Sequence, residues 1–400
     1  MPRSRLPYAL AAVVVLHLLV AGWFAGQRPI DGDEGYYGLA ARLVAEGRAP
    51  YVDFFYPQAP LLPYVYAPAA NLIGAPQLPW LRGVSVLLSG VAVALMATWL
   101  ATRLATRPGV ALAAGLLIAL GPELLTWVTT VKTYAFTSAA TAAALLACSR
   151  ATAGGRRGPL WALGGGAALG IAASGRLLFA PAAFAPAVLF VLVARWRRPS
   201  AALTWLAGAA LGMLPVWLFW MGDPDRFWFN NVAYHELRFS ALENAPSWQR
   251  ALAALETLGV SLTSNPGLLL LLALAVWGAA AWRHRDGVEP DPAAAAGLLL
   301  AVVYTATCLL PDPVYMQYFT GGLPVMLLPA AAFGIGRLAW PSRRLVVGAA
   351  VLAPGLAWLS LDLIRHDLPT AAHWQLDHYA RVNQRLGAGP EPADVVFAFW

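Results

Sequence analysis

The chain has 400 residues, of which 59% are hydrophobic and 12% are charged. Soluble proteins have about 45–50% apolar and about 25% charged residues, so this composition excludes an ordinary soluble domain. The net charge of +7 does not indicate a nucleic-acid partner, because the basic residues, all arginines except Lys132, are scattered between apolar runs. Such scattering is typical of membrane topology signals. The sequence therefore predicts a single membrane-embedded unit with membrane lipids, and no nucleic acid, as partners.

Apolar runs long enough to cross a membrane recur along the whole chain. The first begins "MPRSRLPYALAAVVVLHLLV", and we interpret it as a retained span because no clear cleavage site follows. The predicted fold class is an all-α polytopic membrane protein. With about 20 residues per span, we predict about eleven transmembrane helices, at 8–26, 83–102, 108–125, 133–150, 159–175, 177–194, 201–220, 263–282, 293–311, 318–339 and 344–361.

The connections between these spans differ in charge. With a cytoplasmic N-terminus, the arginine-rich connections all lie inside, as the positive-inside rule requires. Of the 20 acidic residues, only Asp286, Glu289 and Asp291 then lie inside. This segregation predicts that the outer face is the working surface. Its parts are a long first loop (27–82), a loop at 221–262, a turn at 311–319 and a tail from 362.

The predicted domains are a transmembrane catalytic domain (1–361) and a short extracytoplasmic tail (362–400). The tail ends in "ADVVFAFW", which is typical of the start of a strand, so either the chain is cut short there or the outer domain is minimal. Within the first loop, "APLLPYVYAPAANLIG" (59–74) is apolar but short, and we predict an interfacial or re-entrant helix. Cys148 and Cys308 lie in apolar segments and are expected to be free thiols.

The segment "DGDEGYYGLAARLVAEG" (31–47) follows directly on the first span and begins with three closely spaced carboxylates. From Asp33 onward, apolar residues recur at helical spacing, which predicts a helix on the outer membrane surface. Acidic residues in a first turn satisfy free backbone N–H groups and suit the helix dipole. This structural role is the favoured interpretation for Asp31. It explains Asp33 less well.

The segment "DEGYYGLAARLVAEGRAPYVDFFYPQAPLLPY" (33–64) resembles the first outer loop of GT-C glycosyltransferases that use polyprenyl-phosphate sugars. The most similar are the protein O-mannosyltransferases of glycosyltransferase family 39, the aminoarabinose transferases of lipid A and the Rhizobium core-oligosaccharide transferases. In these families an Asp-Glu pair opens a surface helix, and a glycine, a tyrosine, an aspartate, aromatics and a proline-rich turn follow. The corresponding elements here are Asp33-Glu34, "GRAPYVD" (47–53), Phe54-Phe55 and the turn from Tyr56 to Pro60.

The resemblance implies an inverting glycosyltransferase with a GT-C fold and no cofactor. Its partners would be a polyprenyl-phosphate-linked sugar donor and a lipid, glycan or protein acceptor, and its active site would face outward from the cytoplasmic membrane. Two positions depart from the pattern. Ala59-Pro60 replaces the usual Pro-Pro, and Gln58 stands where aminoarabinose transferases carry a phosphate-binding lysine.

Candidate catalytic residues follow from the chemistry of such a donor. A phosphate leaving group needs no general acid, so one carboxylate suffices. We expect Asp33 to be the general base that deprotonates the acceptor hydroxyl. Glu34 and Asp53 are expected to be supporting acceptors for sugar or acceptor hydroxyls, and Gln58 is expected to lie in the substrate site.

Two cations are predicted to hold the departing phosphate. Lys132 lies at the outer end of the fourth predicted span, and Arg176 lies in the tight outer turn between the fifth and sixth spans. A charge at the bilayer centre costs about 2.5–3.5 kcal/mol on insertion scales, and these positions at the rim avoid most of that cost. The alternative is that both side chains snorkel to lipid headgroups.

Tyr315, Gln317 and Tyr318 are predicted to bind substrate at the outer mouth of the tenth span. The alternative for the two tyrosines is an interfacial aromatic belt. No metal site is predicted, because His235 and Glu236 are adjacent and do not share a helix face. The sequence has no glycine-rich nucleotide-binding loop, which fits a lipid-linked donor.

Two other functions compete with the transferase interpretation. A transporter or flippase of a lipid-linked sugar is the main alternative, and a non-catalytic subunit of envelope assembly is a further one. Transporters usually show internal repeats and ionisable residues at the middle of the membrane. Here only His17 lies deep within a predicted span, so the sequence favours the transferase.

Overall fold

The computed structural model describes residues 3–72, 78–153, 155–237, 246–284, 291–311, 313–338 and 341–366. This part of the chain is helical, and one isolated bridge between Pro50 and Phe54 is the only β-type pairing found in it. The helices of the first half are α1 (Leu6–Gln27), α2 (Glu34–Ala45), α3 (Leu61–Leu72), α4 (Leu78–Arg103), α5 (Pro108–Leu120), α6 (Pro122–Val128), α7 (Thr133–Thr152), α8 (Gly158–Gly175), α9 (Ala180–Phe184) and α10 (Ala187–Leu192). Those of the second half are α11 (Pro199–Gly212), α12 (Leu214–Gly222), α13 (Pro224–Trp228), α14 (Tyr234–Leu237), α15 (Ser247–Thr263), α16 (Pro266–His284), α17 (Pro292–Cys308), α18 (Met316–Ile335) and α19 (Ser342–His366).

Each of the predicted spans coincides with a helix or with a run of shorter helices. Three helices in the described ranges are long and apolar enough to cross a membrane: Arg3–Gln27, Leu78–Arg103 and Met316–Ile335. Two further pairs of helices are apolar enough together but bent, α11 with α12 by 51° and α15 with α16 by 95°, and the number is five if each pair is one span. The protein is therefore an all-α membrane protein with several spans, and the number eleven stays a prediction.

Two further sequence predictions concern the first loop and the tail. A helix was expected within 59–74, and α3 lies there. The last helix, α19, ends at His366, and the boundary of the tail at 362 stays a prediction. The remainder of that tail, including the strand expected at its end, lies outside the described residues.

Close packing of α8 on α11 positions the C-terminal end of α8. A Cβ atom at Gly170 would lie 2.2 Å from the carbonyl oxygen of Ala209, and one at Gly212 would lie 2.2 Å from that of Ala167. Small residues at such positions let the backbones of two membrane helices approach closely. Because α8 ends at Gly175, this contact also positions the turn that follows the helix.

Gly170→Ala is expected to destabilise the protein by about 1–3 kcal/mol, because the added methyl group can enter only if the two backbones move apart. The matched control is Gly164→Ala on the same helix, where a Cβ would meet nothing within 4 Å. That change should be neutral or stabilising, since alanine favours helix over glycine. Thermal unfolding of both variants in detergent measures the difference. Equal stabilities would show that the contact between the two helices is not tight.

Candidate active site

A cavity of about 830 Å³ opens between the first loop, the segment after α12 and the start of α18. It brings together most of the residues that the sequence predicted for the site, although these come from five separate parts of the chain. Glu34 and Asp53 are not among the residues that line it. The predicted residues in its wall are Asp33, Gln58, Lys132, Arg176, Tyr315, Gln317 and Tyr318.

Asp33 lies at the start of α2, and its side chain is 44% exposed. Its Oδ2 atom is 2.8 Å from Nζ of Lys132. Oδ1 of Asp31 is 2.7 Å from the same ammonium group. The lysine therefore bridges the two carboxylates, and it also lies over the ring of Trp127, 5.3 Å from the centroid. The sequence had predicted a phosphate ligand at Lys132 but not this shared ion pair.

Asp31 combines a local hydrogen bond with the ion pair. Its Oδ1 accepts a hydrogen bond from the backbone N–H of Asp33 at 3.0 Å, in keeping with the structural role expected for it. Burial opposes ionisation of this carboxyl group. The Lys132 ammonium and the hydrogen bonds outweigh burial, so the pKa of Asp31 lies below its ordinary value. The carboxyl group of Asp31 beside Lys132 is therefore more readily ionised than an ordinary aspartate.

Glu34 forms a fully buried ion pair with Arg82, a residue that the sequence analysis did not select. The two side chains are 0% and 1% exposed, and they make two parallel bonds, Nε to Oε1 at 2.8 Å and Nη2 to Oε2 at 2.5 Å. Glu34 also accepts hydrogen bonds at 2.9 Å from the backbone N–H groups of Asp31 and Val131. Both of its oxygens are therefore engaged by the protein, away from the cavity.

Asp53 also lies apart from the cavity. Its Oδ2 accepts a hydrogen bond from the backbone N–H of Ala49 at 2.7 Å, which closes the turn after α2. In this turn Tyr51 has a φ of 68°, in the left-handed region that non-glycine residues seldom adopt. The aspartate of the "GRAPYVD" element is thus placed as a turn residue here.

Arg176 follows α8 directly and is buried, with 8% of its surface exposed. Its Nη1 donates to Oγ1 of Thr133 at 3.1 Å, and its guanidinium lies over the rings of Tyr134 and Tyr318, at 5.0 and 4.5 Å. Its Nε is buried without a hydrogen-bond partner. No carboxylate pairs with it among the described residues. A buried cation with a free donor in a cavity wall suits an anionic ligand.

The segment after α12 forms another part of the cavity wall. It contains a rare π-helical turn, Phe229–Ala233, of a kind often found at functional sites. The buried Asn230 accepts a hydrogen bond from the backbone N–H of Tyr56 at 2.9 Å, and Nε2 of His235 lies 3.1 Å from the carbonyl oxygen of Pro57. The wall is thereby attached to the proline-rich turn of the first loop. The sequence analysis had considered His235 only as a metal ligand.

Residues 64–313 match glycosyltransferase family 87. The match covers more than half of the chain, so this protein is a membrane glycosyltransferase, and it belongs to glycosyltransferase family 87. The matched family is not family 39, which the first loop resembles. Membership of an enzyme family also overturns the transporter and the non-catalytic alternatives. A search of the curated proteins found no significant match.

Solved structures of two enzymes share the fold. ArnT from Cupriavidus metallidurans, bound to undecaprenyl phosphate, aligns with a TM-score of 0.60 and 15% identity over 92% of this chain and 75% of its own. The oligosaccharyltransferase of Archaeoglobus fulgidus, in a complex with zinc and sulfate, aligns with a TM-score of 0.52 and 15% identity over 94% of this chain. This chain covers only 56% of the archaeal enzyme. At such identities the likeness shows the GT-C type of fold alone.

Proposed function

We propose that this protein is an inverting glycosyltransferase that moves a sugar from a polyprenyl-phosphate donor to an acceptor hydroxyl at the outer face of the cytoplasmic membrane. One observation carries the proposal. A carboxylate, a lysine and an arginine without a carboxylate partner among the described residues, Asp33, Lys132 and Arg176, line one cavity. The undecaprenyl phosphate bound to ArnT, which has the same fold, supports the class of donor.

The reaction is a single displacement. Asp33 accepts the proton of the acceptor hydroxyl while the acceptor oxygen attacks the anomeric carbon from the side opposite the phosphate. The bond between that carbon and the phosphate oxygen breaks, and its electron pair stays on the phosphate. Attack from the opposite side inverts the anomeric configuration. Because phosphate is a good leaving group, no proton donor is required for its departure.

Arg176 supplies the principal charge for the phosphate, since its guanidinium presents several donors in a fixed planar arrangement. The amide groups of Gln58 and Gln317 both donate and accept hydrogen bonds and suit sugar hydroxyls. Tyrosine rings in the same wall, among them Tyr315 and Tyr318, offer flat apolar faces for a sugar ring.

Glu34 and Asp53 act indirectly in this proposal. The pair of Glu34 with Arg82 holds the first turn of α2, and with it the carboxylate of Asp33. Asp53 maintains the turn that leads from α2 to the proline-rich segment. Both residues therefore support the geometry of the cavity from outside it.

The proposal is tested by turnover. Purified protein in lipid vesicles is incubated with a set of radiolabelled undecaprenyl-phosphate hexoses, with water or an added alcohol as the acceptor of the sugar, and release of undecaprenyl phosphate is measured. Cleavage of at least one donor, reduced by about 10²–10⁴-fold in Asp33→Asn, is the expected result. If no hexose is released and undecaprenyl phosphate does not bind to the protein, the donor class is wrong.

The active site is expected to face outward, because that orientation places the arginine-rich connections inside. In a variant lacking the two buried cysteines, Cys148 and Cys308, the exposed first-loop position Arg48→Cys should react with an impermeant thiol reagent in intact cells. The exposed Arg156→Cys, in the connection before α8, should react only after the cells are opened. The reverse pattern would invert the topology.

A further inference from the structure

We propose that Lys132 moves during the reaction. Its ammonium group pairs with Asp33 in the resting site, transfers to the donor's phosphate once Asp33 has taken the acceptor's proton, and remains tethered by Asp31 throughout. This inference rests on the proposed function. It replaces the simpler expectation that Lys132 and Arg176 act together as a fixed phosphate clamp.

The shift of negative charge from Asp33 to the phosphate during the reaction would drive the movement of the Lys132 ammonium group. Before the displacement, Asp33 carries one negative charge and the donor's phosphodiester carries one. Afterwards Asp33 is neutral, and the released phosphate monoester carries about −1.5 to −2. About one unit of negative charge has thus moved from the base to the leaving group. A cation between the two positions is attracted first to one and then to the other.

The position of Lys132 fits this role. Its Nζ lies 2.8 Å from Oδ2 of Asp33, and the side chain is part of the cavity wall although only 5% of it is exposed. The next residue, Thr133, accepts the hydrogen bond from Arg176 at 3.1 Å, so the two cations occupy one stretch of the wall. Lysine carries a compact charge on a flexible stem of four carbons, which permits a short swing.

Asp31 lowers the free-energy cost of moving the Lys132 ammonium group away from Asp33. Its Oδ1 is 2.7 Å from the ammonium group, and Asp31, unlike Asp33 and Arg176, is not among the residues that line the cavity. Lys132 therefore keeps one counter-ion when Asp33 becomes neutral, and a buried cation is never left alone. The lowered pKa of Asp31 keeps this partner ionised. Asp31 is accordingly a positioning residue, which acts on the phosphate only through Lys132.

In this proposal Arg176 and Lys132 bind the phosphate at different stages of the reaction. Arg176 has no carboxylate partner among the described residues and binds the phosphate from the start. Lys132 is occupied by Asp33 until the proton has moved, so it contributes to binding only when Asp33 is neutral. If Lys132 were part of a fixed clamp, it would contribute equally to phosphate binding whether Asp33 is charged or neutral. If its side chain snorkelled to lipid headgroups, it would contribute to phosphate binding in neither state.

Four variants with matched charge separate these possibilities. The first pair is the wild type and Asp31→Asn/Lys132→Met, which removes one positive and one negative charge. The second pair carries Asp33→Asn in addition, which imitates the protonated base. Affinity for undecaprenyl phosphate is measured at pH 8, where the phosphate monoester carries two charges. Within each pair the net charge is constant, so a difference in affinity reports the ammonium group itself.

We expect the double replacement to change the affinity less than about twofold in the wild-type background. In the Asp33→Asn background we expect the same replacement to weaken binding at least about tenfold, the range of a charge-assisted hydrogen bond. Arg176→Met should weaken binding in both backgrounds. An equal loss in both, or no loss in either, would overturn the proposed movement of Lys132.

A single variant gives a second test if the double replacement does not fold. Asp33→Asn alone should bind undecaprenyl phosphate more tightly than the wild type, whereas Glu46→Gln, which removes one charge from the exposed end of the same helix, should not. If Asp33→Asn bound undecaprenyl phosphate no more tightly than Glu46→Gln, the inference about Lys132 would also be overturned. The transferase function would still hold if the wild-type protein bound undecaprenyl phosphate and cleaved a donor. Absence of both binding and cleavage would overturn the two together.

Discussion

Asp33→Asn is expected to reduce turnover by about 10²–10⁴-fold, the usual effect of losing a general base. Asparagine keeps the shape and most of the hydrogen bonding of aspartate but cannot accept the proton of the acceptor hydroxyl. The protein should fold, and donor binding should not weaken. Release of undecaprenyl phosphate from a radiolabelled donor measures the loss. The prediction concerns Asp33 because its carboxylate lies in the cavity wall beside Lys132.

The matched control is Glu46→Gln. Glu46 follows the same helix but forms an exposed pair with Arg42, with Nε 2.9 Å from Oε1, and it is not among the residues that line the cavity. Its loss should leave turnover close to that of the wild type. If Asp33→Asn remained active while Asp53→Asn was inactive, the base would be misassigned. Full activity in both Asp33→Asn and Asp53→Asn would show that neither carboxylate of the first loop takes part in the reaction.

Arg82→Met is expected to destabilise the protein by about 3–5 kcal/mol, because it leaves the buried carboxylate of Glu34 without its charge partner. Arg82 also donates to the backbone carbonyl oxygens of Ala25, Arg28 and Pro29, at 2.6, 3.1 and 3.0 Å, and these acceptors lose their partner too. Thermal or denaturant unfolding in detergent measures the effect. Retention of wild-type stability would show that the pair is not structural.

Two further variants serve as controls for the effect of Arg82→Met on stability. Arg42→Met breaks an exposed pair and should change stability by no more than about 0.2–1 kcal/mol. Glu34→Gln combined with Arg82→Met should cost less than the sum of the single changes. The reason is that glutamine removes the uncompensated charge and can still accept the hydrogen bond from Val131.

The helices and several residues of the cavity could be predicted from the sequence because their signals are local. Apolar runs predicted the positions of the helices, and helical spacing after Asp33 predicted α2. The position of a charge at the end of an apolar run indicated Lys132 and Arg176, which the structure brings into one cavity. Their roles there remain proposals.

Other features could not be predicted because they depend on contacts between distant segments. Nothing near Glu34 in the sequence indicates that its partner is Arg82, 48 positions away. The same holds for Asn230, which bonds to the backbone of Tyr56 174 positions away. Lys132 was predicted as a cation for phosphate, but only the fold shows that two carboxylates already share it. A π-helical turn likewise has no recognisable sequence pattern.

The bonds of Glu34 have a consequence for the order in which the protein is assembled at the ribosome. Glu34 requires the backbone N–H of Val131, which lies 97 residues further along the chain. At a synthesis rate of about 5–20 residues per second, that distance takes about 5–20 s. Throughout this interval Glu34 has already been made but lacks the N–H group of Val131. The hydrogen bonds that hold the first turn of α2 are therefore completed late in synthesis.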